Sequence, residues 1–308
     1  MILNTGSRTD IPAFYSDWFM NRVREGYVMV RNPYNPKMIT KYEIDPEITD
    51  IIVFCTKDPG KMLKHLDELK DYRMYWNVTI TPYGKEIEEN VPDKKKVMDS
   101  FIELSKKLGK EKVVWRYDPV FLNEVYTLDY HLMIFEKMAS YLEGYCDYVI
   151  VSFIDLYEKT KRNFPEVKEV SYGDQCTIIE NFVQIADAHH MKIRLCHEDE
   201  SLKRYGADVT GCLSKEVLEE AFDLKLKASK GNPARQGCAC LLGNDIGAYN
   251  SCMHYCKYCY ANYDKNIVKR NRTLHDPQSP LLIGNIEEGD IIKTHHAVSV
   301  IDERISLF

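Results

Sequence analysis

Short runs of β-branched and aromatic residues alternate along the chain with longer stretches whose apolar positions recur at helical spacing. This alternation is typical of parallel strands joined by crossover helices. The short runs predict strands at 2–5, 27–31, 51–56, 75–81, 113–117, 148–153, 192–197 and 207–210. The longer stretches predict helices at 12–25, 60–70, 93–109, 128–143, 174–190 and 214–228. Eight strands with intervening helices predict an α/β fold, a regular or irregular (β/α) TIM-type barrel.

A change in composition divides the chain near residue 230. The periodic pattern gives way at 230–237 to glycine, proline and polar residues, and five of the ten cysteines follow between Cys238 and Cys259. We therefore expect a (β/α) barrel at 1–230. The cysteine-rich segment and tail at 231–308 are expected to pack on the barrel mouth, where the loops after parallel strands converge.

Ionisable side chains follow several predicted strands. Loops after parallel strands meet at one mouth, so these side chains are candidates for binding a substrate, or the carboxylate and ribose of a cofactor. The candidates are Arg8, Asp10, Arg116, Asp118, His197 and Glu198. Within each Arg-x-Asp pair the alternate positions predict that both side chains point the same way. The alternatives are helix caps or a buried ion pair that only fixes the barrel.

Composition and charge narrow the function classes. A hydrophobic content of 44% and a charged content of 29% are ordinary for a globular protein. The net charge of -6 argues against a strongly electrostatic nucleic-acid binder, although 265–272 is locally basic. No apolar run approaches the roughly 18 residues of a membrane helix, and no secretory signal is recognisable, so we expect a cytoplasmic protein without a membrane partner. Clustered cysteines then favour metal ligands over disulfides.

The strongest motif is Cys252-Met-His-Tyr-Cys256-Lys-Tyr-Cys259. Three thiolates at this spacing can hold three corners of a [4Fe-4S] cluster and leave one iron without a protein ligand. The methionine part of S-adenosylmethionine could chelate that iron. The alternative is a closed zinc site, with Cys238, Cys240 or His254 as the fourth ligand.

A second set of cysteines could hold an auxiliary cluster. Cys238 and Cys240 form a pair that needs distant thiols to complete a site, and Cys196 and Cys212 follow predicted strands. These four thiols are therefore candidates for a second four-iron cluster. The alternative is that Cys196 and Cys212 are small buried apolar residues, as free cysteines often are.

Two resemblances follow from these motifs. The segment 252–261, with an aromatic residue before the third cysteine, resembles the signature of radical S-adenosylmethionine enzymes. The stretches 7–12, 115–119 and 238–247 resemble a bacterial family known as domain of unknown function 1848, and this likeness spans nearly the whole chain. Typical radical enzymes carry the triad after their first strand. Here a predicted barrel precedes it, so the segment either folds back over the mouth or is an appended module.

These features predict a radical S-adenosylmethionine-type enzyme that uses a [4Fe-4S] cluster to generate a 5'-deoxyadenosyl radical. The substrate would be a small molecule or a nucleic acid, and an external electron donor such as flavodoxin or ferredoxin would reduce the cluster. The expected cofactor-binding residues are Tyr258, Tyr260 and Asp245. The rival is a zinc- or iron-sulfur-stabilised nucleic-acid-binding or structural protein without radical chemistry. A DNA-repair lyase with a similar triad lies between the two.

Overall fold

The structure is a computed structural model that describes residues 1–227, 238, 240, 241, 243–302 and 304. Its strands are β1 (Ile2–Asn4), β2 (Tyr27–Arg31), β3 (Met38–Glu43), β4 (Ile51–Thr56), β5 (Met74–Thr79), β6 (Val113–Val120), β7 (Tyr148–Phe153), β8 (Lys192–Leu195), β9 (Asn244–Asp245) and β10 (Ile291–His295). Its α-helices are α1 (Ile11–Phe14), α2 (Ser16–Glu25), α3 (Lys94–Leu108), α4 (Leu128–Leu142), α5 (Glu158–Asn163), α6 (Tyr172–Ala188), α7 (Lys215–Phe222) and α8 (Lys265–Thr273). None of these helices is both long and apolar enough to cross a membrane.

Seven parallel strands form the main sheet, in the order β8-β7-β6-β5-β4-β1-β9. Strands that follow one another along the chain lie side by side from β4 to β8, which agrees with the predicted crossover connections. A separate three-stranded sheet has the order β10-β3-β2. The α/β class is therefore confirmed.

The two faces of the main sheet bury different cores. One face packs against α2, α3, α4 and α6 and is rich in aromatic contacts, such as Phe54 stacked on Trp76 with ring centroids 4.0 Å apart. Phe135 of α4 stacks on Phe182 of α6 with centroids 3.9 Å apart. Each such buried side chain contributes about 1.5–3 kcal/mol. The opposite face carries a smaller core that packs on α7 and includes Cys196, Cys212 and Cys240.

A closed barrel is not seen in the described residues, because β8 and β9 are edge strands without a shared ladder. The strand predicted at 27–31 exists, but it pairs antiparallel with β3 in the small sheet. The six-residue connection 32–37 is too short for a crossover and produces a hairpin instead. The strand predicted at 207–210 reduces to one bridge between Arg194 and Asp208, since the Asp208 carboxylate accepts a hydrogen bond from the Thr210 N–H and turns the chain.

The helix predictions are confirmed at α3, α4 and α6 within two residues at each end. The helix predicted at 12–25 is divided into α1 and α2, and that predicted at 60–70 is a 3-10 helix at Leu63–Leu69. Helix α7 ends at Phe222, before the predicted end at 228. The predicted domain boundary at residue 230 lies outside the described residues. The sequence patterns did not predict α5, α8, β3, β9 or β10.

Candidate functional site

The CxxxCxxC loop lies against the segment that follows β5. Cys256 forms an isolated antiparallel bridge with Glu88, and the Lys257 N–H donates to the Ile87 carbonyl at 2.9 Å. The Asn90 N–H donates to the carbonyl of His254 at 3.0 Å. Since Glu88 follows the carboxyl end of β5, the cysteine loop is fixed by backbone hydrogen bonds at the end of the sheet where the strands terminate.

A second anchor joins the loop to the end of β1 and β4. Nε2 of His254 lies 2.8 Å from Oδ2 of Asp10, and both side chains are buried. Asp10 also accepts from the Thr56 hydroxyl at 2.7 Å, the Lys57 N–H at 2.7 Å and the Ala13 N–H at 3.0 Å. Four partners occupy its carboxylate, so Asp10 positions the loop and caps α1 rather than presenting a free group to a substrate.

The centre of this region is Glu88, whose side chain is fully buried. Its carboxylate accepts hydrogen bonds from Lys57 at 2.8 Å, from Thr81 at 2.7 Å, and from Lys94 and Tyr258. Burial raises the pKa of Glu88, but the ammonium groups of Lys57 and Lys94 outweigh that effect and bring the pKa to about 2. The carboxylate is therefore ionised at neutral pH and holds two cations and the tyrosine that precedes Cys259.

The three thiols of the motif are half-buried. Burial raises the pKa of Cys252, Cys256 and Cys259, and the Lys57 ammonium partly opposes the rise for Cys256 and Cys259. Their three Sγ atoms are not all within 4.8 Å of one another. In the described part of the chain, a single set of three metal-ligand atoms is that compact, and it lies elsewhere. At least one pair of the motif Sγ atoms is therefore more than 4.8 Å apart, which is wider than the ligand spacing of a single tetrahedral zinc ion.

That compact set is Cys196, Cys212 and Cys240, all buried. The Sγ atom of Cys212 lies 3.2 Å from that of Cys196 and 3.1 Å from that of Cys240. Cys238 also hydrogen-bonds to Cys240. The structure thus brings together three of the four cysteines that the sequence suggested as an auxiliary set, on the sheet face that packs against α7, while Cys238 contacts this set through Cys240.

Arg116 connects the cysteine set to the polar end of β6. It forms an ion pair with Asp118, which also accepts from the Ser152 hydroxyl. Hydrogen bonds with Cys196 and Cys240, together with the Arg116 guanidinium, hold the pKa of Cys212 well below its usual value despite burial. Arg116 and Asp118 thus lie on the same side, as their alternate spacing predicts.

Arg8 does not pair with Asp10. Its Nε atom lies 3.1 Å from a carboxylate oxygen of Asp245, and its Nη2 donates to the Asp245 carbonyl at 2.9 Å. The Asp245 carboxylate also accepts from the N–H groups of Ser7 at 2.8 Å and Gly247 at 2.7 Å. The proposed cofactor-binding role of Asp245 therefore competes with its four contacts inside the protein, which tie β9 to the loop after β1.

Glu198 and His197 lie beyond β8. The Glu198 carboxylate accepts from the Phe153 N–H at 2.8 Å, and burial, with the nearby charges of Asp155 and Asp118, raises its pKa to about 8. This carboxyl group is therefore largely protonated at neutral pH and can donate a hydrogen bond. His197 is exposed and has a positive φ of 64°. The two neighbouring side chains consequently differ in environment.

The two tyrosines predicted to bind the cofactor are held differently. The Tyr258 hydroxyl donates to Glu88, and its ring lies 5.5 Å from the Lys57 ammonium. The Tyr260 hydroxyl donates to the Ser7 carbonyl at 2.6 Å, and its side chain is 46% exposed. Only Tyr260 leaves a substantial ring surface open to a ligand.

Sequence reasoning missed Glu88, Lys57, Lys94 and the positioning role of His254. Glu88 lies seven residues past the predicted strand end, within a stretch that looks like a solvated charged turn. A usable signal was present for Lys57, which directly follows the buried run of β4. For Glu88 no local pattern distinguishes a buried carboxylate from an exposed one, because its partners come from four separate segments.

The chain belongs to the family described as a domain of unknown function (DUF1848), whose model matches residues 2–261. The matched region includes the main sheet and the whole CxxxCxxC motif. No curated protein matches the chain significantly.

Proposed function

We propose that the protein is a radical S-adenosylmethionine-type enzyme whose [4Fe-4S] cluster is held by Cys252, Cys256 and Cys259. The observation that supports this most is the anchoring of the cysteine loop across the carboxyl ends of β1, β4 and β5, where a barrel-like enzyme keeps its active site. When bound and reduced, such a cluster with S-adenosylmethionine supplies reductive cleavage of the sulfonium, which yields methionine and a 5'-deoxyadenosyl radical that removes hydrogen from a substrate.

The thiol arrangement fits a four-iron cluster better than a single ion. A zinc ion binds sulfur at about 2.3 Å, so tetrahedral ligands lie about 3.8 Å apart. The motif thiols form no such compact group with each other or with His254, among the residues that the structure describes. In a cube each thiolate binds a different iron, which requires wider spacing. The half-buried state of these thiols also leaves one side for a small ligand.

The surrounding charges favour an anionic metal centre. Lys57, Lys94 and Glu88 together carry one net positive charge beside Cys256. Thiolates bound to iron are negative, and a buried negative centre is stabilised by a fixed cation nearby. The residues of this chain therefore hold the loop, exclude water on the Glu88 side and supply the balancing charge.

The substrate side of the proposed site is the group formed by Arg116, Asp118 and Glu198. Arg116 offers an anionic group the guanidinium hydrogens that Asp118 and Cys212 do not use, and a protonated Glu198 suits a hydrogen-bond acceptor. The same proposal includes a barrel-like enclosure of this group. It is supported by hydrogen bonds that continue beyond both sheet edges, from Leu195 N–H to the Asp208 carbonyl at 2.7 Å and from Leu241 N–H to the Leu213 carbonyl at 2.8 Å.

The nucleic-acid-binding alternative receives less support. Two of the basic side chains in 265–272 have partners within the protein, since Lys265 pairs with Glu89 and the Arg272 guanidinium lies 5.3 Å from the Tyr15 ring centroid. Phosphate binding needs several basic side chains that face outward together.

Anaerobic purification followed by iron and sulfide analysis tests the proposal. We expect a brown protein with about four irons per chain at the motif, and 5'-deoxyadenosine after addition of dithionite and S-adenosylmethionine. Cys256→Ala is expected to lose the nucleoside product and most of this iron. Cys146→Ala, which removes a buried thiol of the other core, serves as the matched control and should retain both. A cluster-loaded wild type that forms no 5'-deoxyadenosine, with Cys256→Ala behaving identically, would contradict the proposal.

A further inference from the structure

The strongest feature outside the proposed cluster site is the set of four thiols formed by Cys196, Cys212, Cys238 and Cys240. They come from three chain segments: the end of β8, the turn after Asp208 and the approach to β9. Three are buried, Cys238 is half-buried, and neighbouring thiols hydrogen-bond to one another. The other described cysteines outside the motif are not part of a compact group of thiols. Cys146, for example, lies 3.5 Å from the Met191 sulfur.

We propose that these four cysteines bind a single zinc ion that fastens together the two edges of the main sheet. This site does not require the proposed radical function, although Arg116 serves both, and it takes the place of the auxiliary four-iron cluster considered from the sequence. Its chemistry is structural, since four thiolates close the tetrahedral shell and leave no position for substrate.

The distances favour one ion over a cluster. Thiolates on one zinc lie about 3.8 Å apart, and the Sγ–Sγ separations of 3.2 and 3.1 Å at Cys212 need only a small expansion to reach that value. A cube would require the same thiols to move much further apart, within a packed core. A disulfide also fits poorly, because Cys212 lies almost equally close to Cys196 and to Cys240. Zinc is preferred to iron(II) because it binds the same ligands more tightly.

The electrostatic surroundings suit this ion. Zinc with four thiolates carries two net negative charges, and a buried charge needs a nearby partner. The Arg116 guanidinium hydrogen-bonds to Cys212 and acts electrostatically on Cys196. Metal binding would release the protons of the thiols, which lie beside a fixed cation that favours the thiolate form.

The location of the four thiols indicates a structural role for the ion. Edge strands β8 and β9 share no ladder in the described residues, and the chain between them is held by a few hydrogen bonds, such as Leu241 to Leu213. The approach to β9 is also tight, because a Cβ atom at Gly243 would lie 2.1 Å from the carbonyl oxygen of Ile2. A metal that joins Cys196 and Cys212 to Cys240 would bridge this gap through coordinate bonds and would stabilise the smaller core that packs on α7.

The test uses the full chain with Cys252, Cys256 and Cys259 all changed to Ala, so that motif iron cannot contribute. We expect about one zinc per chain, and X-ray absorption showing four sulfur ligands at about 2.3 Å. Adding Cys212→Ala should remove the zinc, whereas adding Cys146→Ala should leave it in place. Cys238→Ala, at the half-buried rim, is expected to fold and to weaken zinc binding at least about tenfold in a chelator competition.

Three outcomes would overturn the zinc site: iron at these cysteines in the variant that lacks the motif thiols, a folded form of that same variant with all four cysteines intact but no metal, or a disulfide found among them by thiol counting. The outcomes are separable from those of the proposed function. A wild type without motif iron but with one zinc would contradict the radical mechanism only, whereas a protein with motif iron and no zinc would contradict the zinc site only.

Discussion

The two cysteine groups differ in almost every physical respect. Cys252, Cys256 and Cys259 lie within eight residues of one another, are half-buried and do not converge on a single point. The second group spans 45 residues from Cys196 to Cys240, yet its three buried thiols lie within 4.8 Å of one another. Closeness in sequence and closeness in space are therefore opposed in this protein.

The comparison shows that motif spacing and ligand geometry carry separate information. A local motif fixes which thiols are available, and the loop that carries it can keep them apart for a cluster. The distant group has no motif, but the fold brings three of its thiols so close together that we propose a single ion there. Each group also has its own cation, Lys57 near the motif and Arg116 near the compact group.

The largest expected effect is at Glu88, which supports the motif loop and makes no contact that holds the compact cysteine group. Glu88→Gln leaves Lys57 and Lys94 without their buried counter-charge, and we expect the free energy of unfolding to fall by about 3–5 kcal/mol in chemical denaturation. The wild-type contribution is present above the unfolded pKa of 4.5 and is lost as pH falls through the folded pKa of about 2.

The adjacent Glu89→Gln is the matched control, because Glu89 pairs with Lys265 at the surface. It should cost no more than about 1 kcal/mol. Equal losses for the two variants would show that Glu88 is not the buried anchor of the motif loop. Zinc content should be the same in both, since the compact cysteine group is held elsewhere.

A smaller effect is expected at Arg116, which supports the compact group. Arg116→Gln removes the cation beside Cys212, and we expect zinc affinity to fall by about 10–100-fold in a chelator competition. Arg194→Gln removes a comparably buried arginine of the same sheet face, paired with Asp208 at 2.8 Å, and should leave zinc affinity unchanged. Similar losses in both variants would mean that general destabilisation, rather than the charge at Cys212, weakens the site.

The smallest effect, taken per pH unit, concerns Glu198, which lies two residues beyond Cys196 of the compact group. Its pKa is raised to about 8, so its favourable contribution is complete below the unfolded pKa of 4.5 and is lost as pH rises through about 8. Glu198→Gln mimics the protonated form and keeps an oxygen for the Phe153 N–H. We expect the variant to flatten the decline in unfolding free energy between pH 5 and 8, by up to about 1 kcal/mol per pH unit.

Urea unfolding at several pH values measures this difference, with Glu200→Gln, an exposed neighbour, as the control. The wild type, Glu198→Gln and Glu200→Gln are compared by how their free energies of unfolding change with pH. If all three change in parallel, Glu198 does not have a raised pKa and its proposed role as a hydrogen-bond donor is wrong.

The sequence by itself determined the α/β class and most strands of the main sheet, and it suggested both cysteine groups, of which the structure brings three thiols of the second together. Hydrophobic periodicity is a local property, so it predicts β4 to β8 and helices such as α3 and α6. It could not assign β2 to a separate sheet, because a strand pattern does not specify its partner, and the six-residue connection 32–37 decides that it forms a hairpin.

Only the tertiary structure decided the long-range contacts. Asp10 and Arg8 were expected to act together, but one pairs with His254 and the other with Asp245, more than 230 residues away. Glu88 becomes the anchor of the motif loop because four segments bury it. Side-chain environment depends on which segments meet, and the free energy of burying a charge is set by those neighbours rather than by the residues beside it in the chain.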